Sequence, residues 1–202
     1  MGDIALVRPD QLKTAADTLA EAFFDDPLMH IIAPDEKRRV KVGPWFFGMT
    51  VKYGMRWAQS WCNDDASSAA VWFPPGKTDI STIRMLRVGF GALPFKAGLS
   101  GASRFMRALS ATEKFHKAVE GPHWYLMAVG TRVTRQGTGL GSALLELGTS
   151  QADAAGIPCY LETGTESNVA YYSKRGFEVT GQADLFGFTL YGMVRKPKQQ
   201  SA

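Results

Sequence analysis

At 202 residues and 22.1 kDa, the chain is long enough to bury the core of one domain, and no linker marks a second. Hydrophobic residues make up 45% and charged residues 21%, near the averages for globular proteins, which excludes a disordered, collagen-like or coiled-coil chain. The net charge is +4, from 23 Lys and Arg against 19 Asp and Glu, too mild to indicate nucleic acid by itself, and no apolar run approaches the roughly 18 residues of a membrane-spanning helix.

The start, Met1-Gly2-Asp3-Ile4-Ala5-Leu6, lacks the basic flank of a signal peptide, and Leu6 stands where a myristoylation signal needs Ser or Thr. Residues 4–8 read as a short strand closed by Pro9. Asp10 is the expected N-cap of a helix running to about Phe24, with Leu12, Ala16, Leu19 and Phe23 on its buried face. Asp25-Asp26-Pro27 stops it. A second helical stretch begins at Asp35 or Glu36. Gly43-Pro44 interrupts it and predicts a kink or two shorter helices.

Ser68 to Phe73 reads as a strand ended by Pro74-Pro75-Gly76. From Arg84 to Lys117 the chain is helical in character, broken by Gly89, Gly91, Pro94, Gly98 and Gly101 into two or three pieces. Its basic excess reads first as a solvated helix face. His123 to Val133 is a strand apolar on both faces at its centre, hence interior. A glycine-rich turn and a helix over 136–155 follow, with Leu140, Leu144 and Leu147 inward. Ile157 to Thr163 is another buried strand, Asn168 to Lys174 a short helix, and Phe177–Thr180 and Phe186–Val194 two strands before a polar tail. Strand, turn, helix, strand makes a right-handed parallel unit in a mixed α/β fold. Cys62 and Cys159 lie far apart without metal-ligand spacing and read as free thiols of a reducing compartment, the cytoplasm.

The chemically informative segment is Arg135-Gln136-Gly137-Thr138-Gly139-Leu140-Gly141-Ser142. Alternating glycines let main chain approach a ligand, and the following helix presents unpaired N–H groups with partial positive charge. A phosphate or pyrophosphate suits that end. A P-loop is excluded because no lysine follows Gly141, and the dinucleotide fingerprint misses its third glycine from either starting point, although Glu162 lies about 20 residues on, where a ribose-binding acid would stand. On spacing alone, a ligand-free glycine turn remains open.

Gln136-x-x-Gly139-x-Gly141 after a buried strand, together with Asn168-Val-Ala-Tyr-Tyr172-Ser-Lys174-Arg-Gly176-Phe177, resembles the two signatures of the GNAT N-acetyltransferase family. The similarity runs from about Trp124 to Gly181 and is closest to the branch that contains puromycin N-acetyltransferase. Gln136 replaces a frequent Arg, and Val133 a frequent Pro. The resemblance implies a mixed, mostly antiparallel central sheet with one splayed parallel strand pair, flanked by helices. It implies one domain over 1–202, with about 1–120 on the acceptor side (including a helical insertion, 76–120) and about 121–196 binding acetyl-CoA as cosubstrate.

The same resemblance implies acetyl transfer to an amine by direct attack in a ternary complex, with no metal. The loop Gln136, Gly137, Thr138, Gly139, Leu140, Gly141 and Ser142 would hold the pyrophosphate. Val129, Gly130 and Thr131 would pair with the pantetheine arm, at a splay near Gly130 that aims an N–H at the thioester oxygen. Tyr172 would assist the leaving thiolate. Full proton transfer from a phenol to a thiolate is uphill by about 2 kcal/mol, so hydrogen bonding serves as well. Tyr171 would point away. Glu162 is the candidate base, since stripping a lysine-like ammonium at pH 7 costs about 4.6 kcal/mol, with a loop-capping Glu as the alternative. Asn168 binds the cofactor or orders the turn.

His123 reads as a strand-edge residue, and His30 and His116 have no partner legible in sequence. Phe23, Phe24, Met29, Trp45, Phe46, Trp72 and Phe73 offer aromatic surface to an acceptor, most of it core, and Asp25 and Asp26 read as solvated. The expected partner is a small-molecule amine, without nucleic acid or membrane, for a monomer or homodimer. Two other readings stand beside it: a non-catalytic acyl-CoA-binding sensor and a protein N-acetyltransferase.

Overall fold

The computed structural model describes residues 3–198; Met1, Gly2 and the last part of the polar tail, 199–202, lie outside them. A seven-stranded sheet forms the centre, in the order β1-β2-β3-β4-β5-β7-β6, from β1 (Ile4–Leu6), β2 (Gln59–Asn63), β3 (Ser68–Phe73), β4 (Trp124–Thr131), β5 (Cys159–Thr163), β6 (Glu178–Leu185) and β7 (Phe188–Arg195). Neighbours run antiparallel except β4 and β5. The helices are α1 (Leu12–Ala22), α2 (Pro27–Ile32), α3 (Glu36–Trp57), α4 (Thr82–Val88), α5 (Leu93–Ala118), α6 (Leu140–Ala155) and α7 (Glu166–Ser173).

Alternation along β3 explains the two layers. Ala69, Val71 and Phe73 face the larger core, with Leu19 of α1 and Phe46, Phe47 and Val51 of α3. Ala70 and Trp72 face the other, with Leu144, Leu145 and Ala152 of α6. Trp72 Nε1 donates to Leu144 O at 3.1 Å, which ties α6 to the sheet.

Several elements depart from the sequence reading. Helix α1 starts after Gln11, not at Asp10. The Gln11 side chain accepts from Arg8 N and donates to Asp64 O, while Asp10 pairs with Arg8. Asp26 caps an additional helix, α2, by accepting from Leu28 N at 2.9 Å. Helix α3 runs unbroken through Pro44. The lost hydrogen bond costs roughly 3 kcal/mol; burial of Val42, Phe46, Phe47 and Val51, at about 1.5–3 kcal/mol each, outweighs it. Strand β2, too polar to stand out in sequence, fills the place between β1 and β3. Phe186 belongs to the β6–β7 turn, at φ 56°, and not to a strand.

The 84–117 segment is α4, a short 3-10 turn and α5, which bends at Gly98 (φ 79°). Part of its basic excess is used in packing. Arg104 donates to Ile31 O, and the Arg84 and Arg107 guanidinium groups sit over Trp57 and Phe186. Both cysteines are free and buried. Among the described residues, no helix is long and apolar enough to cross a membrane.

Candidate active site

Strands β4 and β5 pair in parallel only at Trp124, Tyr125 and Leu126, opposite Cys159, Tyr160 and Leu161. Beyond Leu126 they part. On the other edge of β4 the register slips: Val71 opposes Ala128 and Trp72 opposes Leu126, so Met127 is an extra, bulged residue. The splay therefore begins at Met127, well before the expected Gly130. Gly130 serves packing instead, because a Cβ there would lie 2.7 Å from Ala22 Cβ and 3.1 Å from Leu19 Cδ2. From Met127 to Thr131 the β5-side edge of β4 is an unpaired strand edge with main-chain donors and acceptors.

A cavity of about 710 Å³ occupies the gap. It is lined by Val129, Gly130 and Thr131 of β4, by Gln136, Gly137, Gly139, Leu140, Gly141 and Ser142 of the loop and α6, by Glu162, and by Asn168, Tyr171 and Tyr172 of α7. Thr138 does not line it; its hydroxyl donates to Arg135 O at 2.6 Å and closes the turn. Gly137 and Gly139 have φ of 77° and 86°, left-handed values that leave the loop flat over the start of α6. Gly137 has nothing near where a Cβ would be. An open cradle of amides, a helix N-terminus and a free strand edge fit a long thioester with a diphosphate, the form of acetyl-CoA.

Arg175, absent from the sequence reading, completes this end. Its Nη2 donates to Ser142 Oγ at 2.9 Å and its Nη1 to Tyr171 O at 2.9 Å. Tyr171 Oη lies 3.0 Å from Ser142 Oγ. Both tyrosines border the cavity, contrary to the expectation that only one would, but their hydroxyls differ. The Tyr171 hydroxyl is engaged with Ser142, whereas the Tyr172 hydroxyl makes no protein hydrogen bond among the described residues. Burial first, then the Tyr171 phenol and Asp26, push the Tyr172 hydroxyl well above its usual range, so it is a protonated donor at neutral pH. Asn168 is exposed at the rim, with its main-chain N–H bonded to Thr165 Oγ1.

Glu162 is on the β5 face that also carries Tyr160, on the larger-core side. Its side chain is 7% exposed. Burial pushes the carboxyl up to about 7, and the Tyr125 and Tyr160 phenols pull it partly back. His116, from the last turn of α5, brings Nδ1 to 3.9 Å from Glu162 Oε1. Burial and His123 hold that imidazole down to about 4, so it is neutral and the contact is not an ion pair. The His116 ring centroid is 4.3 Å from Tyr125, 4.7 Å from Tyr160 and 5.1 Å from His123. His116 was not legible as a neighbour of Glu162, because the break at Gly98 hides the phase of α5.

Past Glu162 the cavity is mostly apolar, with Phe23, Phe46, Phe47, Leu28, Leu109 and Phe188 among its walls beside Thr50 and Thr112. Trp72, Phe73 and Met29 are core. Asp25 is exposed, its side chain 3.7 Å from His30. Asp26 is half-buried at the cavity wall, its carboxyl raised by burial.

Three comparisons bear on this arrangement. The Acetyltransferase (GNAT) family profile matches residues 95–177. An uncharacterized N-acetyltransferase of Schizosaccharomyces pombe is 28% identical over 216 residues, covering 96% of this chain and 83% of that protein. In fold, the chain is similar to a histone acetyltransferase HPA2 and related acetyltransferase structure from Corynebacterium glutamicum, with TM-score 0.65, 20% identity and 100% of both chains covered. It is also similar to arylalkylamine N-acetyltransferase 2 from Aedes aegypti, with TM-score 0.65, 15% identity and 97% and 99% covered. By both the profile and the Schizosaccharomyces pombe relative, this chain is similar to the GNAT acetyltransferase family. It is an acyltransferase that uses acetyl-CoA.

Proposed function

We propose that the chain moves the acetyl group of acetyl-CoA to a primary amine of a small molecule, by direct attack within a ternary complex. The observation that carries this reading is the single cavity running from the glycine loop, past Tyr172 and Glu162, into an apolar chamber. One end suits a diphosphate and the other an amine with an apolar body. Residues 121–196 supply the cofactor end. Residues 1–120, with the insertion 76–120 as a roof, supply the acceptor end.

In this reading the loop amides of Gln136 to Ser142, the start of α6 and Arg175 hold the diphosphate. The Val129–Thr131 edge pairs with the pantetheine arm, and Asn168 closes the rim. Main chain at the Met127 bulge stabilises the oxyanion. Glu162 takes the ammonium proton; the amine nitrogen then bonds to the acetyl carbon and the C–S bond breaks. Tyr172 hydrogen-bonds the thiolate, which takes up the proton that the new amide nitrogen sheds. A carboxyl titrating at about 7 is matched to a base working at neutral pH.

The motifs are most similar to those of the branch that contains puromycin N-acetyltransferase, a likeness that does not specify the acceptor, and the buried free thiols favour the cytoplasm. A thiol-release assay over a panel of primary amines tests the whole reading. Free thiol should appear with apolar-bodied amines and not with acetyl-CoA alone. Cofactor binding without thiol release for any amine would make the chain a sensor, and release only with peptides would make it a protein acetyltransferase.

A further inference from the structure

Four buried polar atoms without a hydrogen-bond partner fall in one place: Glu162 Oε1, His116 Nε2, His123 Nε2 and Tyr160 Oη. Buried polar groups are nearly always paired, so such a concentration calls for a cause. Packing alone does not require it, since apolar residues of similar shape would fill the same space without the desolvation cost. The groups converge from separate elements: His116 from α5, His123 from the entry to β4, Tyr125 from β4, and Tyr160 and Glu162 from β5.

They also form a chain that runs from the cavity through buried rings to an exposed turn. Glu162 lines the cavity. His116 Nδ1 is 3.9 Å from Glu162 Oε1, and its side chain is 15% exposed. The His123 ring is 5.1 Å from the His116 ring. His123 Nδ1 lies 3.1 Å from the carbonyl oxygen of Gly121, in an exposed turn. Once cofactor and acceptor fill the cavity, Glu162 has no open path to water on that side, and it must lose its proton before the next turnover.

We propose that His116 is the residue through which Glu162 exchanges its proton with solvent, with His123 as the next group outward. This rests on Glu162 being the base of the reaction proposed above. The Glu162 acid passes its proton to His116 Nδ1, giving an imidazolium beside a carboxylate. His116 Nε2 then passes its proton to the equally buried Nε2 of His123, and His123 releases one from Nδ1 to solvent at the exposed Gly121 turn; both rings end neutral, and their tautomers reset by exchange. One proton leaves per acetyl group transferred, and nothing is oxidised or reduced. Imidazole suits the task because it accepts on one nitrogen while it donates from the other. The facing Tyr125 and Tyr160 phenols remain protonated, their pKa values raised by burial, and supply no competing charge.

The test compares wild type, His116→Ala and His116→Asn as full-length proteins, with melting temperature as the check that each folds. In dilute, bulky buffer, His116→Ala should lose about tenfold or more in kcat while KM for acetyl-CoA is unchanged, and added imidazole should restore most of the loss. A loss that imidazole does not relieve, or no loss, overturns the assignment. A second readout needs no turnover. The His116 ring proton resonance in wild type should shift as Glu162 titrates, and that inflection should vanish in Glu162→Gln. An unchanged inflection overturns the link. If wild type acetylates no amine, the reaction proposed above is what fails, and the ring titration still decides whether His116 and Glu162 share a proton path.

Discussion

The Arg175 guanidinium carbon lies over the Tyr171 ring, 3.6 Å from its centroid, while the same group donates to Ser142 Oγ at the start of α6. Stacking fixes the plane of the cation and leaves its charge at the mouth of the glycine loop. Arg175→Ala should therefore raise the acetyl-CoA dissociation constant about 10-fold or more, in keeping with the 1.5–3 kcal/mol of a charge-assisted hydrogen bond. Arg175→Lys should recover little, because an ammonium cannot stack and fork together. Calorimetric titration at two salt concentrations checks both, and an unchanged affinity in the alanine variant would remove Arg175 from the diphosphate site.

Glu162 links activity to stability with opposite signs. Its native pKa is raised to about 7, above an unfolded value near 4.3. The native state therefore holds the proton longer than the unfolded state, and Glu162 makes folding less favourable as pH rises from about 4.3 toward 7. Glu162→Gln should be more stable than wild type at pH 8, by up to about 3–4 kcal/mol, and about equally stable at pH 4. The same variant should lose the rise in kcat/KM through about pH 7. Parallel melting and rate profiles test the pair of effects.

Tyr172→Phe should lower kcat about 10- to 100-fold with little change in KM for acetyl-CoA, because the hydroxyl acts on charge that develops only as the thiolate leaves. Tyr171→Phe should do the reverse, weakening cofactor binding through Ser142 and sparing kcat. Steady-state kinetics on both variants distinguish the two neighbours, and equal effects would refute the division of labour.

Away from the site, Arg195 donates to both carboxylate oxygens of Asp153 at 2.8 and 2.7 Å, with its own side chain 5% exposed. The Arg195 bonds hold the Asp153 carboxyl below its usual range. Its contribution is thus present above the unfolded carboxylate pKa and is lost as pH falls through the native one. Asp153→Ala leaves a buried cation alone and should cost about 3 kcal/mol at pH 7 and less in acid, as denaturant melts at the two pH values will show.

The glycine loop, the strand before it and the helices α6 and α7 were legible from the residues because each depends on neighbours within a few positions: a turn needing positive φ, a strand apolar on both faces, a cap, a helical stripe; Tyr172 was singled out only by the motif resemblance. The chain order of strand, loop, helix and strand also determined the parallel β4–β5 pair. Where those strands part was a different matter. The bulge at Met127 arises from the register against β3, a partner some fifty residues away in the chain, and Gly130 owes its place to the approach of α1. The continuity of α3 through Pro44, the recession of Asp26 and the arrival of His116 and Arg175 beside Glu162 and Ser142 likewise depend on surfaces that exist only once distant segments have packed. Local sequence encodes backbone preference directly, whereas the pairing of far-apart side chains follows from the total burial of the whole chain, and no short stretch of residues contains that sum.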